Sequence, residues 1–334
     1  MNKFKVYFIV LCSVFALFSC SKTEDTYYEP LRFYSDQYVT DLAIIEDYLK
    51  THYIEEIIDH PGFSDDQDIK LTRIPSGNTT LQAIFDSPLL YSKEVLYNNF
   101  TYKVYYLKTR EGVGTAPSKV DQVLASYDGY FLSYNSEVAV DTRFEYVPFP
   151  DGFLPLDQTI VGWPEIFSLF KPGTSVNSPG NPTQYNDFGA GVMFLPSALA
   201  YYNQKKGTIP AYSSLIFRFK LHDMKRADQD NDGIVSVDED LNHDGLFNND
   251  DTDGDGVQNY IDSDDDGDGY LTRAENKKPA GETSGNSLYY PFNAILDNPS
   301  TPDVDEAETK GVPDCSGNFN ASDRLRKYLD SSCH

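Results

Sequence analysis

Between residues 228 and 275, Asp, Asn and Glu recur at intervals that suit a hard divalent cation. Four windows place oxygen-bearing side chains at positions 1, 3, 5, 9 and 12 and glycine at position 6. The first holds Asp228, Asp230, Asp232, Gly233, Ser236 and Glu239, and the second Asp240, Asn242, Asp244, Gly245, Asn248 and Asp251. The third holds Asp251, Asp253, Asp255, Gly256, Asn259 and Asp262, and the fourth Asp264, Asp266, Asp268, Gly269, Thr272 and Glu275. Calcium binds several oxygens at once, and a glycine in sixth place permits the sharp turn that gathers them. A solvated acidic tract is the ordinary meaning of a charge run, but charge alone does not put glycine sixth in every window. Without cations the segment, with 17 acidic side chains and only Arg273 as a base, should repel itself into an extended coil. With them it should become a rigid connector, so the calcium expected here is structural and the catalytic chemistry needs no cofactor.

The windows begin 12, 11 and 13 residues apart, which leaves no room for helices between loops. The segment therefore resembles thrombospondin type 3 repeats more than paired EF-hands. In such repeats a shared carboxylate, here Asp251, bridges neighbouring ions. Outside residues 228–275 the chain carries 35 acidic and 26 basic residues, an ordinary balance, against −25 for the whole. No basic face is available for phosphates, so nucleic acid is not an expected partner.

Upstream, hydrophobic periodicity outlines the elements that must position a site. Val39, Leu42, Ile45, Leu49 and Tyr53 recur at helical spacing and predict a helix over 36–53. Alternation predicts strands at 101–108, 120–127, 143–149, 189–195 and 214–222. Trp163-Pro164 opens a short helix to about Phe170, with proline suited to its first turn, and Lys171-Pro172-Gly173 stops it. A final helical turn is expected over Asp323–Leu329. Several strands around one short helix make an antiparallel α+β domain.

Three stretches within residues 100–224 then carry a family resemblance. They are Val123-Leu-Ala-Ser-Tyr127-Asp-Gly129, Thr159-Ile160-Val161-Gly162-Trp163 with Phe170-Lys-Pro-Gly173, and Phe194-Leu-Pro196 through Tyr201, continued by Ile209-Pro210 and Leu215-Ile-Phe217. In order and spacing they resemble the FKBP-type peptidyl-prolyl isomerases. The resemblance implies an antiparallel sheet wrapped on a short helix, and a dry pocket for a proline ring. Trp163 would form its floor and Tyr127, Ile160, Tyr201 and Phe217 its walls. Asp141, in Val140-Asp141-Thr142, would hydrogen-bond near the mouth, and the Ile209 backbone N–H would hold a substrate carbonyl. One further wall aromatic is open between Phe149 and Phe153. The chain departs from the family at Val140, Tyr202 and Thr208, and carries an insertion at 172–187.

The N-terminus addresses the export route. Lys3 and Lys5 precede an apolar run from Val6 to Phe18, too short for an ordinary span and suited to a signal core. Leu17-Phe18-Ser19-Cys20 resembles a bacterial lipobox, which implies cleavage before Cys20, lipidation of its thiol and a membrane anchor. Ser21 favours the outer membrane, facing the periplasm or the cell surface. In that oxidising compartment Cys315 and Cys333 are left as an even pair, and one disulfide is expected.

The expected organisation is a signal peptide (1–19), a lipidated tether (20–35), an N-terminal helical region (36–98), the isomerase domain (99–224), calcium repeats (225–276) and a tail packing back (277–334). The expected activity is rotation of X-Pro bonds in exported proline-containing polypeptide clients. The alternative is a non-catalytic, calcium-stabilised binding lipoprotein of the same fold.

Overall fold

The first regular element is an amphipathic helix, α1 (Tyr34–Thr51), whose buried side chains Gln37, Asp41, Ile44, Ile45, Tyr48 and Leu49 fall on one stripe. Asp36 in its first turn and Lys50 in its last complement the helix dipole. The computed structural model describes residues 31–180, 182–295 and 307–333; the expected signal peptide, Cys20 and the tether as far as residue 30 lie outside them. Among the described residues no helix is long and apolar enough to cross a membrane.

The architecture is α+β. Strands β1 (His52–Ile57) and β2 (Ile69–Arg73) form a hairpin of their own. The main sheet contains β3 (Leu90–Tyr97), β4 (Phe100–Arg110), β5 (Gln122–Asn135), β6 (Val138–Val147), β10 (Gly189–Leu195) and β11 (Leu215–Lys225). Its order is β3-β4-β10-β11-β5-β6, antiparallel throughout, with the short β7 (Leu154–Pro155) beside β5. Period-two alternation divides the side chains between two faces. One face carries Val104, Tyr106, Val123, Ala125, Met193, Leu195, Phe217 and Phe219 against α2 (Gly162–Phe167). The other carries Tyr105, Leu107, Leu132, Ala139, Val192, Phe194 and Ile216 against α1.

Buried polar anchors fix these layers. Asp41 of α1, 1 % exposed, accepts hydrogen bonds from the Ser197 N–H at 2.8 Å, the Ser197 hydroxyl at 2.6 Å and Gln37 at 2.7 Å. Glu165 of α2 takes Lys93 and Lys119, each at 2.7 Å, and so ties the helix to β3 and to the approach to β5. Burial raises the Glu165 carboxyl, but the two ammonium groups outweigh it and hold the group below its ordinary value.

Several expectations need correction. The 36–98 stretch is helical only across Tyr34–Thr51; a hairpin follows, and β3 belongs to the main sheet, because Leu90–Tyr97 pairs residue by residue with β4. The 172–187 insertion forms a small hairpin, β8 (Thr174–Val176) with β9 (Gln184–Asn186). It lies beside the far end of β11, where the Gly173 N–H donates to the His222 carbonyl at 3.2 Å. The tail is not helical over Asp323–Leu329 and makes one 3-10 turn at Lys327–Leu329. Cys315 and Cys333 are disulfide-bonded with Cα atoms 5.8 Å apart. Tyr328 and Leu329 pack with Tyr290 and Val312 onto Ile234 of the first acidic window.

Candidate functional site

Trp163 opens α2 because Gly162 before it lets the backbone approach β10; a β-carbon there would lie 2.6 Å from the Leu195 side chain. The indole is 5 % exposed and meets Phe217 at 5.2 Å and Tyr127 at 4.9 Å between ring centroids, both close to perpendicular (86° and 82°). Edge-to-face contacts of this kind fix ring orientation beyond simple burial. The indole Nε1–H has no acceptor among the described residues. Ile160 and Tyr201 pack half-buried around the same cluster. The structure therefore brings Trp163, Tyr127, Phe217, Ile160 and Tyr201 together.

Phe144 is a member of this aromatic cluster that sequence reasoning missed. Its ring stands 5.7 Å from Phe217 at 88°. Phe149 is 73 % exposed, and Phe153 lies under Lys225 at 4.0 Å, so neither serves as the wall. The cause is a one-residue bulge. Gly129 pairs with Glu145 while Tyr130 pairs with Arg143, which leaves Phe144 as the extra residue. A bulge of one residue exchanges the faces of everything beyond it.

That exchange also displaces the expected acid. Asp141 pairs with Leu132 on the α1 face. There it accepts from the Tyr48 hydroxyl at 3.1 Å and from Arg218 at 3.3 Å, across the sheet from Trp163. It does not reach the aromatic cluster. Glu145 comes to that side instead, where its charge acts on the Tyr127 hydroxyl. Burial, then the Glu145 charge, pushes that hydroxyl up to about 12, and the same two causes raise Tyr201.

The Ile209 N–H is also misassigned: it donates to the Lys206 carbonyl at 2.9 Å within a tight turn. By contrast, the N–H of Ile160, on the loop leading into α2, has no acceptor among the described residues. Tyr202 stacks on Tyr34 at 4.5 Å and meets Tyr212 at 5.1 Å. A cavity of about 620 Å³ opens on the α1 side, lined by Asp65, Asp68, Tyr130, Arg143, Arg218 and Lys220 among others. Its lining mixes those charges with apolar groups such as Val147, Pro148 and Phe149, an arrangement that does not exclude water.

The acidic segment repeats one backbone scheme. The carboxylate or amide at position 3 accepts the N–H of position 5, as Asp230 does for Asp232 and Asp253 for Asp255. Asn242 and Asp266 do the same for Asp244 and Asp268. Position 5 accepts the N–H of position 7, and glycine at position 6 takes φ of +99°, +74°, +97° and +92° at Gly233, Gly245, Gly256 and Gly269. With one oxygen so occupied, the other turns inward. Carboxylate atoms of Asp228, Asp230 and Asp232 gather within 4.8 Å, as do those of Asp251, Asp253 and Asp255, and of Asp264, Asp266 and Asp268.

Position 9 departs from expectation. Ser236, Asn259 and Thr272 are buried, and each bonds position 2 of its own loop. Ser236 accepts the Gln229 N–H at 3.3 Å, Asn259 the Thr252 N–H at 2.9 Å and Thr272 the Asp265 N–H at 3.3 Å. They staple the loops shut and are not aimed at a cation. Asn248 makes no such bond; Asp250 takes the Leu241 N–H at 3.2 Å in its place. Asp250 lies in the field of Asp240 and Asp244, while Asp251 gathers with Asp253 and Asp255 of the third loop.

The donor set fits a hard cation. Asp228, Asp230, Asp232, Asp264 and Asp266 each keep a buried oxygen without a hydrogen-bond partner among the described residues, and Glu239 and Glu275 keep both. Burial, then the Asp232 and Asp265 charges, pushes Glu239 up to about 11; burial, then Asp266 and Asp268, pushes Glu275 to about 8. Buried anions so crowded need a proton or a metal ion. Asp262, which accepts the Asp264 N–H at 3.0 Å, lies near Asp253 and Asp255 and closes the third loop.

Comparison with known proteins adds the following. The family described as BamM C-terminal matches residues 229–303, less than half of the chain. No curated protein matches it. Among solved structures it is similar to FkpA from Escherichia coli, with 26% identity and a TM-score of 0.28 over 36% of this chain and 48% of that one. It is similar to a peptidyl-prolyl cis-trans isomerase from Pseudomonas syringae pv. tomato, with 19% identity and a TM-score of 0.30 over 42% and 84%. A third is the N-terminal domain of FKBP42 from Arabidopsis thaliana, with 19% identity and a TM-score of 0.30 over 45% and 99%. The match spans about half the length of FkpA (48%).

Proposed function

We propose that the chain is a peptidyl-prolyl cis-trans isomerase of FKBP type that acts on proline-containing segments of exported polypeptides. The observation that carries this reading is the set of near-perpendicular rings on Trp163, with Tyr127 and Phe217 against a buried indole. Amide rotation meets a barrier of about 18–20 kcal/mol because resonance must be broken. The planar amide is the form that polar solvent stabilises. An aromatic floor therefore favours the twisted form relative to water, and each ~1.4 kcal/mol of that preference is tenfold in rate. In this reading the Ile160 N–H holds the substrate carbonyl, while Phe144, Ile160 and Tyr201 frame the ring. Glu145 orients the Tyr127 hydroxyl. Calcium in the acidic loops is structural, and Cys20 is the lipid attachment that tethers the protein at the outer membrane.

One observation favours a second reading, a non-catalytic proline-binding module: the acid expected at the mouth, Asp141, serves the opposite face. The test is relaxation of an X-Pro peptide after a cis-enriching solvent jump, with wild type and Trp163→Ala. Acceleration by wild type, lost in the variant, supports the enzyme. Wild type that binds the peptide yet leaves the buffer rate unchanged makes the protein a binding module.

A further inference from the structure

We infer that Asp265, carried by the fourth acidic loop, ligates the cation of the first, so that Asp228, Asp230, Asp232, Glu239 and Asp265 make one calcium site clasping two distant loops. This rests on the reading that the loops bind calcium. Asp265 stands at position 2 of its own loop, a place from which that loop's cation draws no ligand. Its side chain turns away toward loop one instead. Carboxylate atoms of Asp232, Glu239 and Asp265 lie within 4.8 Å of one another, and Asp232 also belongs to the Asp228–Asp230 group.

All three of these side chains are 1 % exposed. Asp232 commits Oδ1 to the Ile234 N–H at 2.7 Å, and Asp265 commits Oδ2 to the Thr272 hydroxyl at 2.7 Å. The oxygens that remain, Asp232 Oδ2, Asp265 Oδ1 and both of Glu239, are buried without any hydrogen-bond partner. Three carboxylates sealed from water and facing one another need a proton or a metal ion among them. Arg273, whose charge reaches Asp232, donates to the Asn231 carbonyl at 2.8 Å and holds the fourth loop against the first. Tyr328, fully buried, brings a further unpartnered hydroxyl to the same neighbourhood. Five carboxylates, one with both oxygens available, suit the larger and more flexible shell of calcium over the small octahedron of magnesium.

Thr272 is then a positioning residue. By binding Oδ2 it leaves Oδ1 as the oxygen turned to loop one. The clasp makes the first site conditional on the fourth loop, which an isolated loop of twelve residues would not be.

Calorimetric titration of calcium chloride into the chelator-stripped mature chain tests this, with the number of ions and the affinity of each class as readouts. Asp265→Asn should remove one ion per chain or weaken one class about tenfold or more. Thr272→Val should weaken the same class and Thr272→Ser should restore it, while Asp253→Asn should remove a different ion and leave that class intact. If wild type binds calcium and Asp265→Asn titrates identically, the clasp is wrong and the loop reading stands. If wild type takes up no calcium, both fall. Should Asp265→Asn fail to melt cooperatively, Thr272→Val, which keeps the charge, decides: an unchanged titration overturns the proposal.

Discussion

Gly129 lies beneath the ring of Phe144 so closely that a β-carbon at 129 would stand 2.6 Å from it, and 3.1 Å from Phe217. The glycine thus admits the bulged residue to the aromatic cluster. Gly129→Ala should push both rings off Trp163, at a cost of about 1–3 kcal/mol typical of overpacking. Isomerisation should fall about tenfold or more, because ~1.4 kcal/mol of lost transition-state preference suffices. Urea melts and peptide relaxation measured together check this; undiminished turnover would remove Phe144 from the pocket.

Asp141 and Glu145 support a crossed test, since the bulge puts them on opposite faces. Asp141 holds Tyr48 and Arg218 in a partly buried network. Asp141→Asn should cost about 1–3 kcal/mol of stability, the penalty of weakening a charged, partly buried hydrogen-bond pair, and leave kcat/KM unchanged. Glu145→Gln should leave the melt nearly unmoved and lower kcat/KM, because it alters only the hold on the Tyr127 hydroxyl. The opposite pattern would return Asp141 to the active face.

Much of this arrangement was legible in the sequence, and the failures share a cause. Trp163, Tyr127 and Phe217 were readable because the motifs that resemble the FKBP family place them, and no bulge falls between those motif residues and the cluster. Phe144 and Glu145 were not, since neither alternation nor the family resemblance carries a mark of an inserted residue; the resemblance pointed to Asp141 and left the wall open between Phe149 and Phe153. Only Gly129, a glycine inside a strand, hinted at close approach. In the acidic segment, glycine spacing gave the loops, but position 9 was misread. Ser236, Asn259 and Thr272 are oxygen donors in either role, and burial decides between them. Asp265 was invisible because its partner loop is remote in sequence.

His222 sets an acid limit on the stability of the main sheet. Burial first, then the charges of Lys220 and Arg110, depress its ring from 6.5 to about 4. Ser126 shares a hydrogen bond with Nε2 at 2.9 Å, Phe188 and Tyr185 cover the ring, and Nδ1 is buried without a partner. Below pH 6.5 the unfolded chain binds a proton that the folded chain refuses until about pH 4. Stability should therefore fall as pH drops through that window, by about 3 kcal/mol at most. His222→Gln, which keeps an acceptor for Ser126, should flatten that part of the profile. Parallel wild-type and variant denaturation curves from pH 7 to about pH 4 would show the group to be uninvolved.

Chelation of calcium should loosen the acidic segment while sparing the aromatic cluster. The segment is anchored to the sheet by protein contacts that need no ion. Asp121, fully buried, accepts the Ala227 N–H at 3.2 Å and pairs with Arg226, and Gln229 donates to the Val120 carbonyl at 2.8 Å. Each occupied site at 100 times its dissociation constant contributes about 2.7 kcal/mol to its own loop. Removing the ions should raise amide exchange across 228–275 and expose Tyr328 with the small core on Ile234. Trp163 is the chain's one tryptophan, so its emission reports on the pocket alone. That emission, and turnover of a short peptide, should hold steady with chelator present while exchange rises in the loops. A shift in the emission at the chelator concentration that opens the loops would mean that calcium governs the proline pocket as well.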